Sequence, residues 1–486
     1  MLAIVAGTGW RAAHLENRPL HADEAVQAWQ TWRLLDGKGY EYDPWDRHGP
    51  SLYFGSAALH RLRGGDAADY DDREARRFPF AVGIATLILI GVGARLAGFG
   101  QATGTLAALL LVFETFTSLY HTYFVQEATL AFLVWAFVFL CLKSEVRRPL
   151  LHFGLIGALV GLAQATKATT PLYFGFAAIA LWMTRESKES PVQWRFLGAA
   201  VCGFLIPYIA LYSSFGIHPA GLWDGIKTYF LQAERLAESP HSYPWWHHLR
   251  NLGLVPSGGP RWGQYLLLAL GLAGGIQAFL QGSSRAQRVT ALLTFSLLVF
   301  HSIISYKTPW LLLTPVVGLV LLAAEFLNRL LRWPKFGIAA VTVLVPLTMI
   351  QSHAKSSLAL SRYPGDIRNP YFYEQAPRGL ARLPARIDQL QAAQKRPLRV
   401  AVVSPEHAWP LPWYLREAPQ VGYFDSASVD LSQWDMVIWD DQLGEPPDSL
   451  MEYAMGEIYS LRPNVMLYVY ISGPVWEKVF PPISPD

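Results

Sequence analysis

Carboxylates stand beside apolar segments at two places in the chain. The first is the motif His21-Ala-Asp23-Glu24, and the second is Glu127, which opens an apolar segment. A carboxylate next to a membrane helix is costly unless another group pairs with it or uses it, and it can act as a general base toward a hydroxyl group. Both places also fit helix starts, where negative charge suits the dipole, and at the first place the helix would run from about Ala22 to Leu35. Catalysis and helix capping therefore both remain open.

Isolated cations stand near other apolar segments. Lys167 lies in a Thr-rich stretch, and Lys307 follows Tyr306 in the stretch Ser-Tyr-Lys-Thr-Pro-Trp. Their Thr and Tyr neighbours suggest that these lysines handle an anion, although a lysine that snorkels to the membrane interface would look the same. Glu114 is different, because it lies inside an apolar run and must face a cavity or a partner.

The long polar stretch 214–262 carries His241, Trp245 and the pair His247-His248. Two adjacent histidines on a helix point about 100° apart, and no HxxxH spacing accompanies them, so a structural metal is the less favoured interpretation. The residues Asp23, Glu127 and His48 could also hold a divalent cation if the fold brings them together. No metal site is assigned.

Composition identifies a membrane protein. The chain has 486 residues, of which 52% are hydrophobic and 16% are charged, and this excludes intrinsic disorder and a disulfide scaffold. The net charge of +3 comes without a basic block interleaved with aromatics, so nucleic-acid binding is a poor interpretation. The two cysteines, Cys141 and Cys202, lie in apolar runs and read as small hydrophobic residues.

Apolar stretches of about 14 to 20 residues recur along the chain, each close to the length of a membrane-spanning helix. The first contains Arg11 and His14, so either a longer first helix has lost part of its length or neighbours hold these side chains. We count about eleven stretches, near residues 1–17, 78–97, 102–119, 128–143, 150–166, 171–184, 196–213, 263–281, 289–305, 310–327 and 336–351.

Basic residues collect in alternate loops, which places those loops in the cytoplasm. The loops 18–77 and 214–262, the short tips that hold Glu127, Lys167 and Lys307, and everything after about residue 352 then lie outside. In the tail, short apolar runs alternate with helical periodicity, and this pattern predicts a small α/β domain. It has predicted helices at 378–394 and 447–459, and predicted strands at 399–404, 435–439 and 465–470. We therefore divide the chain into a membrane domain, 1–352, and an extracytoplasmic domain, 353–486.

The motifs as a set resemble a known superfamily. The sequence lacks GxxxxGK[ST], which excludes an ATP-driven pump. The segments HADEAVQAW, YDPWDRHGPSLYF, SYKTPW, RNPYFY and PLPWYLR resemble the GT-C superfamily of multi-spanning glycosyltransferases, in its protein O-mannosyltransferase-like (PMT-like) branch. Within that branch they look like the family associated with flippase activity in archaeal-type N-glycosylation. The similarity spans nearly the whole chain.

The resemblance implies an all-helical GT-C membrane fold and a polyprenyl-phosphate sugar donor, with the active site facing outward. By the same resemblance, Asp23 is the catalytic base of an inverting transfer, Glu24 is its neighbour in the motif, and Glu127 is the acid of the second outer loop. In many relatives an arginine and a second basic or amide side chain precede that acid, and in this chain Thr122 and Gln126 occupy the corresponding stretch. Residues near the donor phosphate or substrate would be His21, His48, Lys167, His241, Trp245, Tyr306 and Lys307.

The predicted function is transfer of a mannose-like hexose from a polyprenyl-phosphate donor to an extracytoplasmic acceptor hydroxyl, at the cell membrane. The acceptor is a protein, a glycan or a lipid. One alternative is a non-catalytic flippase for lipid-linked sugars, or a protein associated with one, which intramembrane Glu114 would suit. In a further alternative the tail docks the acceptor, and its deletion would spare donor hydrolysis.

Overall fold

The structure is a computed structural model of the whole chain, and its contacts divide the chain into two units. The helical unit consists of residues 1–15, 30–364 and 368–371, and the sheet unit consists of residues 16–29, 365–367 and 372–486. The structure describes all residues except Met1, 46–47, 144, 187–192, 238–241, 373, 406–407, 427, 429 and 481–486, and the side chains of 232–237.

The described part of the first half of the chain consists of helices joined by loops. The helices are α1 Leu2–Ala12, α2 Ala22–Leu35, α3 Ser51–Leu62, α4 Asp72–Leu96, α5 Thr103–Leu111, α6 Thr115–Tyr120, α7 Glu127–Leu142, α8 Pro149–Gln164, α9 Thr170–Met183, α10 Trp194–Tyr212, α11 Gly221–Ala237 and α12 His247–Leu252. A short hairpin follows, with strands β1 Val255–Pro256 and β2 Arg261–Trp262. The remaining helices of this unit are α13 Tyr265–Gln277, α14 Arg285–Ile303, α15 Leu313–Leu330 and α16 Phe336–Ser357.

The helical core forms around α15. This helix is predominantly apolar and 94% of its most apolar stretch is buried, as expected of a helix that neighbours cover nearly all round. Helices α5, α7, α13 and α14 pack against it. At another contact, Gly157 and Gly161 of α8 lie against the backbone of Ala200 and Phe204 of α10. The spacing of three residues between these two glycines predicts a helix contact, and the structure shows it; a side chain at either position would collide with the facing backbone.

The chain is a multi-pass membrane protein by the length and apolarity of its helices. In the described part of the chain, five helical segments are long enough to span: Asp72–Leu96, Trp194–Tyr212, Arg285–Ile303, Pro309–Leu330 and Phe336–Arg362. Four shorter apolar helices, α7, α8, α9 and α13, accompany them. The count of about eleven spans and their orientation stay predictions. We expected the run 102–119 to form one helix, but it forms two, α5 and α6.

Glu114 causes that break. It is completely buried, and its carboxylate accepts hydrogen bonds from the backbone N–H groups of Phe116 and Thr117, at 2.9 and 2.6 Å, and from Gln264 Nε2 at 2.5 Å. The first two bonds cap the start of α6. Arg11 of α1 donates to the carbonyls of Leu111 and Val112 on the other side of the break. Neighbouring helices therefore hold the polar residues of the first apolar run.

The sheet unit is built on five strands in the order β4-β3-β5-β7-β6. Strands β3, β4 and β5 are parallel, while β7 runs antiparallel to both β5 and β6. Successive residues of β3 pack on opposite faces of the sheet. Val400 and Val402 belong to the hydrophobic cluster on one face, and Ala401 and Val403 belong to the cluster on the other. Two covered faces explain why this strand reads as continuously apolar. The strands are β3 Val400–Val403, β4 Val421–Phe424, β5 Met436–Asp440, β6 Ala454–Arg462 and β7 Val465–Ile471, and the helices are α17 Leu383–Gln394, α18 Leu411–Tyr414 and α19 Gly473–Val479.

The sequence predicted most of this unit correctly. The predicted strands at 399–404, 435–439 and 465–470 are β3, β5 and β7, and the helix at 378–394 is α17 with a preceding 3-10 turn. The helix predicted at 447–459 is wrong, because residues 454–462 form the edge strand β6. Asn464, with φ of 65°, makes the tight turn that pairs β6 with β7. Pairing with a neighbour outweighs local helix propensity here.

Candidate functional site

The segment that carries the Asp-Glu motif is held by residues from the other end of the chain. The hydroxyl of Tyr414 accepts a hydrogen bond from the backbone N–H of Leu20 at 2.8 Å, and Gln375 Nε2 donates to the carbonyl of Pro19 at 2.9 Å. Tyr414 belongs to the PLPWYLR segment that carried the resemblance. Residues 16–29 are consequently part of the sheet unit, although its strands begin only at Val400, near the other end of the chain.

A histidine begins the helix that carries the motif. The Asp23 backbone N–H donates to Nδ1 of His21 at 3.0 Å, and the Glu24 carboxylate accepts from the His21 backbone N–H, also at 3.0 Å. This resembles a capping box, with an imidazole in place of the usual serine or threonine and with its bond to the second rather than the third helical N–H. The predicted helix Ala22–Leu35 is confirmed, and capping is what the Glu24 carboxylate does.

Asp23 and Glu24 have different surroundings although they are adjacent. The Glu24 side chain is fully buried, and its carboxylate lies 3.7 Å from Nη2 of Arg18, which is buried as well. The Arg18 guanidinium also lies over the ring of Phe372. The Asp23 side chain is 47% exposed, with one carboxylate oxygen 3.9 Å from Nδ1 of His21. Only Asp23 therefore presents its carboxylate to solvent.

In the helical unit, Glu127 and Lys167 form an ion pair. Glu127 is the first residue of α7, and Lys167 lies in the turn before α9. Both side chains are nearly buried, with exposures of 5% and 12%. Gln126, the residue before the acid, is also buried, and its amide Nε2 has no hydrogen-bond partner in the described structure. A buried donor without a partner is costly unless a ligand or water meets it.

Lys307 is used differently from Lys167. Its ammonium group donates to the carbonyls of His301 and Ser302, at 3.1 and 3.0 Å, and to that of Ile304. These carbonyls end α14, so Lys307 caps the C-terminus of that helix. Burial lowers the pKa of its ammonium group from the usual value. Tyr306 pairs with Ser242 in a single β-bridge, which ties the long loop to the same turn.

The histidines of the long loop lie against α14. His248 is fully buried, and neither ring nitrogen has a hydrogen-bond partner among the described residues. Its ring centroid lies 6.4 Å from that of His301, whose Nε2 hydrogen-bonds the Tyr173 hydroxyl at 3.0 Å. Burial, and then the neighbouring charges of His301, His247 and Lys307, lower the pKa of His248 to about 3. His248 is consequently neutral at ordinary pH.

The other predicted site residues differ in how exposed they are. Trp245 is largely exposed and His48 is half-buried, while His241 lies outside the described residues. Within the described ranges, no three His, Cys, Asp or Glu side chains are grouped so as to hold a metal ion. Sequence reasoning missed two partners, Arg18 for Glu24 and Tyr173 for His301. Arg18 stands six positions before Glu24, and that closeness could have suggested the pair.

The chain is similar in part to a sequence family and over nearly its full length to solved structures. Residues 67–220, about a third of the chain, match the family described as dolichyl-phosphate-mannose-protein mannosyltransferase, PMT. No curated protein matches the chain in sequence.

Three solved structures show the fold. ArnT from Cupriavidus metallidurans, bound to undecaprenyl phosphate, aligns with a TM-score of 0.67 at 14% identity, over 96% of this chain and 97% of that one. AglB, an oligosaccharyltransferase from Archaeoglobus fulgidus in complex with an inhibitory peptide and a dolichol-phosphate, gives 0.56 at 10% identity, over 98% and 76%. The arabinofuranosyltransferase AftD from Mycobacteria gives 0.50 at 14% identity, over 97% and 41%. The predicted resemblance is confirmed at the level of the fold: the chain shares the fold of these membrane glycosyltransferase structures, and residues 67–220 are similar to the PMT family.

Proposed function

We propose that the chain is a membrane glycosyltransferase that moves a mannose-like hexose from a polyprenyl-phosphate carrier to an acceptor hydroxyl outside the membrane, with inversion at the anomeric carbon. The PMT match over residues 67–220 and the lipid phosphates bound by ArnT and AglB support a lipid-linked donor. The observation that carries the proposal is the exposed Asp23 carboxylate beside the buried Glu24 carboxylate.

Asp23 acts as the general base in this proposal. Its carboxylate accepts the proton of the acceptor hydroxyl as that oxygen attacks the anomeric carbon, and the bond from that carbon to the carrier phosphate oxygen breaks. The phosphate leaves with the bonding electron pair, so a single displacement inverts the configuration. Glu24 is a positioning residue, because its cap on His21 and its ion pair with Arg18 hold the first turn that carries Asp23.

We assign the donor phosphate to Lys167 rather than to Lys307. The Lys307 ammonium already donates to three backbone carbonyls. The Lys167 ammonium has one carboxylate partner, Glu127, so it can also donate a hydrogen bond to a phosphate. The unpartnered Nε2 of Gln126 supplies a second donor next to that pair. An ammonium group and an amide together can stabilise the charge of a leaving phosphate.

The flippase alternative, which the outer cations also suit, is weakened at Glu114. It drew on Glu114 as a membrane charge that needed a cavity, but the Glu114 carboxylate accepts hydrogen bonds from two backbone N–H groups and from Gln264. Its burial is thereby explained by helix capping. An acceptor-docking tail is also not needed to explain the sheet unit, which holds the segment that carries Asp23.

The test is sugar transfer by the purified protein in lipid, with radiolabelled polyprenyl-phosphate mannose and a mixed pool of peptide and glycolipid acceptors. We expect Asp23→Asn to lower transfer by a factor of about 10² to 10⁴, the usual contribution of a general base. Asp36→Asn is the matched control, because Asp36 is exposed just beyond the same helix and pairs with Lys38. Full activity in Asp23→Asn would remove Asp23 as the base.

A further inference from the structure

A basic cavity of about 420 Å³ lies in the helical unit, where α16 ends. One wall is the turn of residues 258–261 between β1 and β2, and the other is made by Lys355, Leu358, Arg362 and Tyr363. This volume falls within the roughly 300–1,000 Å³ that is usual for ligand sites. None of the residues assigned to sugar transfer lines the cavity, so it needs an explanation of its own.

Three cations surround the cavity without a counter-charge. Within the described part of the chain, Arg261, Lys355 and Arg362 form no ion pair with a carboxylate. The Lys355 ammonium instead donates to the Arg261 carbonyl at 2.5 Å, and the Arg362 guanidinium lies over the Tyr363 ring, 5.6 Å from its centroid. Three unneutralised cations around one cavity repel one another and attract a polyanionic group such as a phosphate.

The cavity lies at the end of an apolar stripe. Residues Phe336–Arg362 are long and apolar enough to span a membrane. Val343, Leu347 and Ile350 are exposed along α16, at spacings of four and three residues, and therefore share one face of the helix. An acyl chain can lie along this face while its phosphate reaches the cations at the helix end, which is the arrangement of a lipid headgroup site between membrane elements. A soluble phosphate would make no use of the stripe.

We propose that this cavity binds the phosphate group of an anionic membrane lipid, with an acyl chain along Val343, Leu347 and Ile350. The lipid joins the turn 258–261 to the end of α16. Both Gly258 and Gly259 have positive φ, at 56° and 99°, so the turn that brings Arg261 to the cavity depends on glycine. The proposal is independent of the transfer reaction, because no catalytic step passes through these residues.

Lipid retention measured by native mass spectrometry tests the proposal. The protein is taken from nanodiscs that contain phosphatidylglycerol and phosphatidylcholine. The variant Lys355→Gln/Arg362→Gln is compared with Arg332→Gln/Lys335→Gln, which removes the same charge from exposed positions at the other end of α16. We expect the cavity variant to retain phosphatidylglycerol about tenfold less well, while the control matches the unaltered protein. Equal retention by the two variants, or no preference for phosphatidylglycerol over phosphatidylcholine, would overturn the proposal.

Two further arms keep the result decisive. Arg261→Gln alters an exposed residue on the turn, so it replaces the double variant if that protein does not fold, and we expect the same loss of phosphatidylglycerol. Excess glycerol phosphate should not displace the lipid, and displacement would identify a soluble phosphate as the ligand and overturn the lipid assignment. Sugar transfer is measured on the same samples and should persist, so failure here is distinguishable from failure of the transferase proposal.

Discussion

The two acidic sites of this protein use their carboxylates in opposite ways. At the Asp-Glu motif, two adjacent residues differ in exposure, since the Glu24 side chain is buried against Arg18 and the Asp23 side chain is 47% exposed. At the second site, two residues forty positions apart, Glu127 and Lys167, come together and are both nearly buried. Residue type alone does not distinguish these cases. The difference shows that burial and pairing decide whether a carboxylate supports the fold or is accessible for proton transfer.

The largest expected effect follows from removing Glu127. Glu127→Gln leaves the Lys167 ammonium nearly buried without its carboxylate, and removing one partner of a buried pair typically costs about 3–5 kcal/mol. We expect a lower midpoint of thermal unfolding in detergent. Glu127→Gln/Lys167→Met should recover most of the stability but not the transfer activity. Recovery of activity in the double variant would contradict the phosphate role of Lys167.

Glu24 should behave as a structural residue, in contrast to Asp23. Glu24→Gln removes the charge opposite buried Arg18 and weakens the cap on His21. Because the two groups are 3.7 Å apart, beyond hydrogen-bond length, we expect a loss at the lower end of the range for a broken buried pair, about 3 kcal/mol in the free energy of unfolding. Asp23→Asn should leave thermal unfolding nearly unchanged while it lowers transfer by a factor of about 10² to 10⁴. The contrast would break down if Glu24→Gln retained full stability and lost activity.

His248 predicts how acid affects the helical unit. Its pKa in the folded protein, about 3, lies below the unfolded value of about 6.5, so the unfolded chain binds the extra proton between these values. Above pH 6.5 the buried neutral His248 therefore does not lower the free energy of unfolding. As the pH falls from 6.5 toward 3, that free energy decreases by about 1.4 kcal/mol per pH unit. His248→Gln should flatten this part of a plot of unfolding midpoint against pH. An unchanged slope would contradict the assignment.

The smallest effect is expected at Lys307. Lys307→Met removes the donor to the last carbonyls of α14, at a cost of about 1 kcal/mol. Sugar transfer per folded molecule should change little, whereas Lys167→Met should reduce it strongly. Thermal unfolding and transfer assays on the two variants measure both quantities. Strong loss of transfer in folded Lys307→Met would restore the phosphate role that the sequence suggested for Lys307.

Local features of the sequence predicted much of the fold. The helix from Ala22 to Leu35, the strands β3, β5 and β7 and the glycine contact between α8 and α10 all depend on patterns within one element. Two predictions failed where specific hydrogen bonds outweighed the local pattern of apolar residues. Pairing with β7 converts residues 454–462 into a strand, and the cap from Glu114 divides the run 102–119 into two helices.

The sequence by itself determined that this is a membrane protein with GT-C-like motifs and an α/β tail, because apolar runs and periodicity are local properties of the chain. The tertiary structure decided which of the adjacent carboxylates is buried, since Arg18 and the packing of the sheet unit set the environment of Glu24. It also paired Glu127 with Lys167 and directed Lys307 to the end of α14. The Glu127–Lys167 pair depends on a partner forty positions away, which no local pattern encodes. Arg18 and the carbonyls that Lys307 contacts are near in sequence, and there it is the burial of the groups that only the tertiary structure sets.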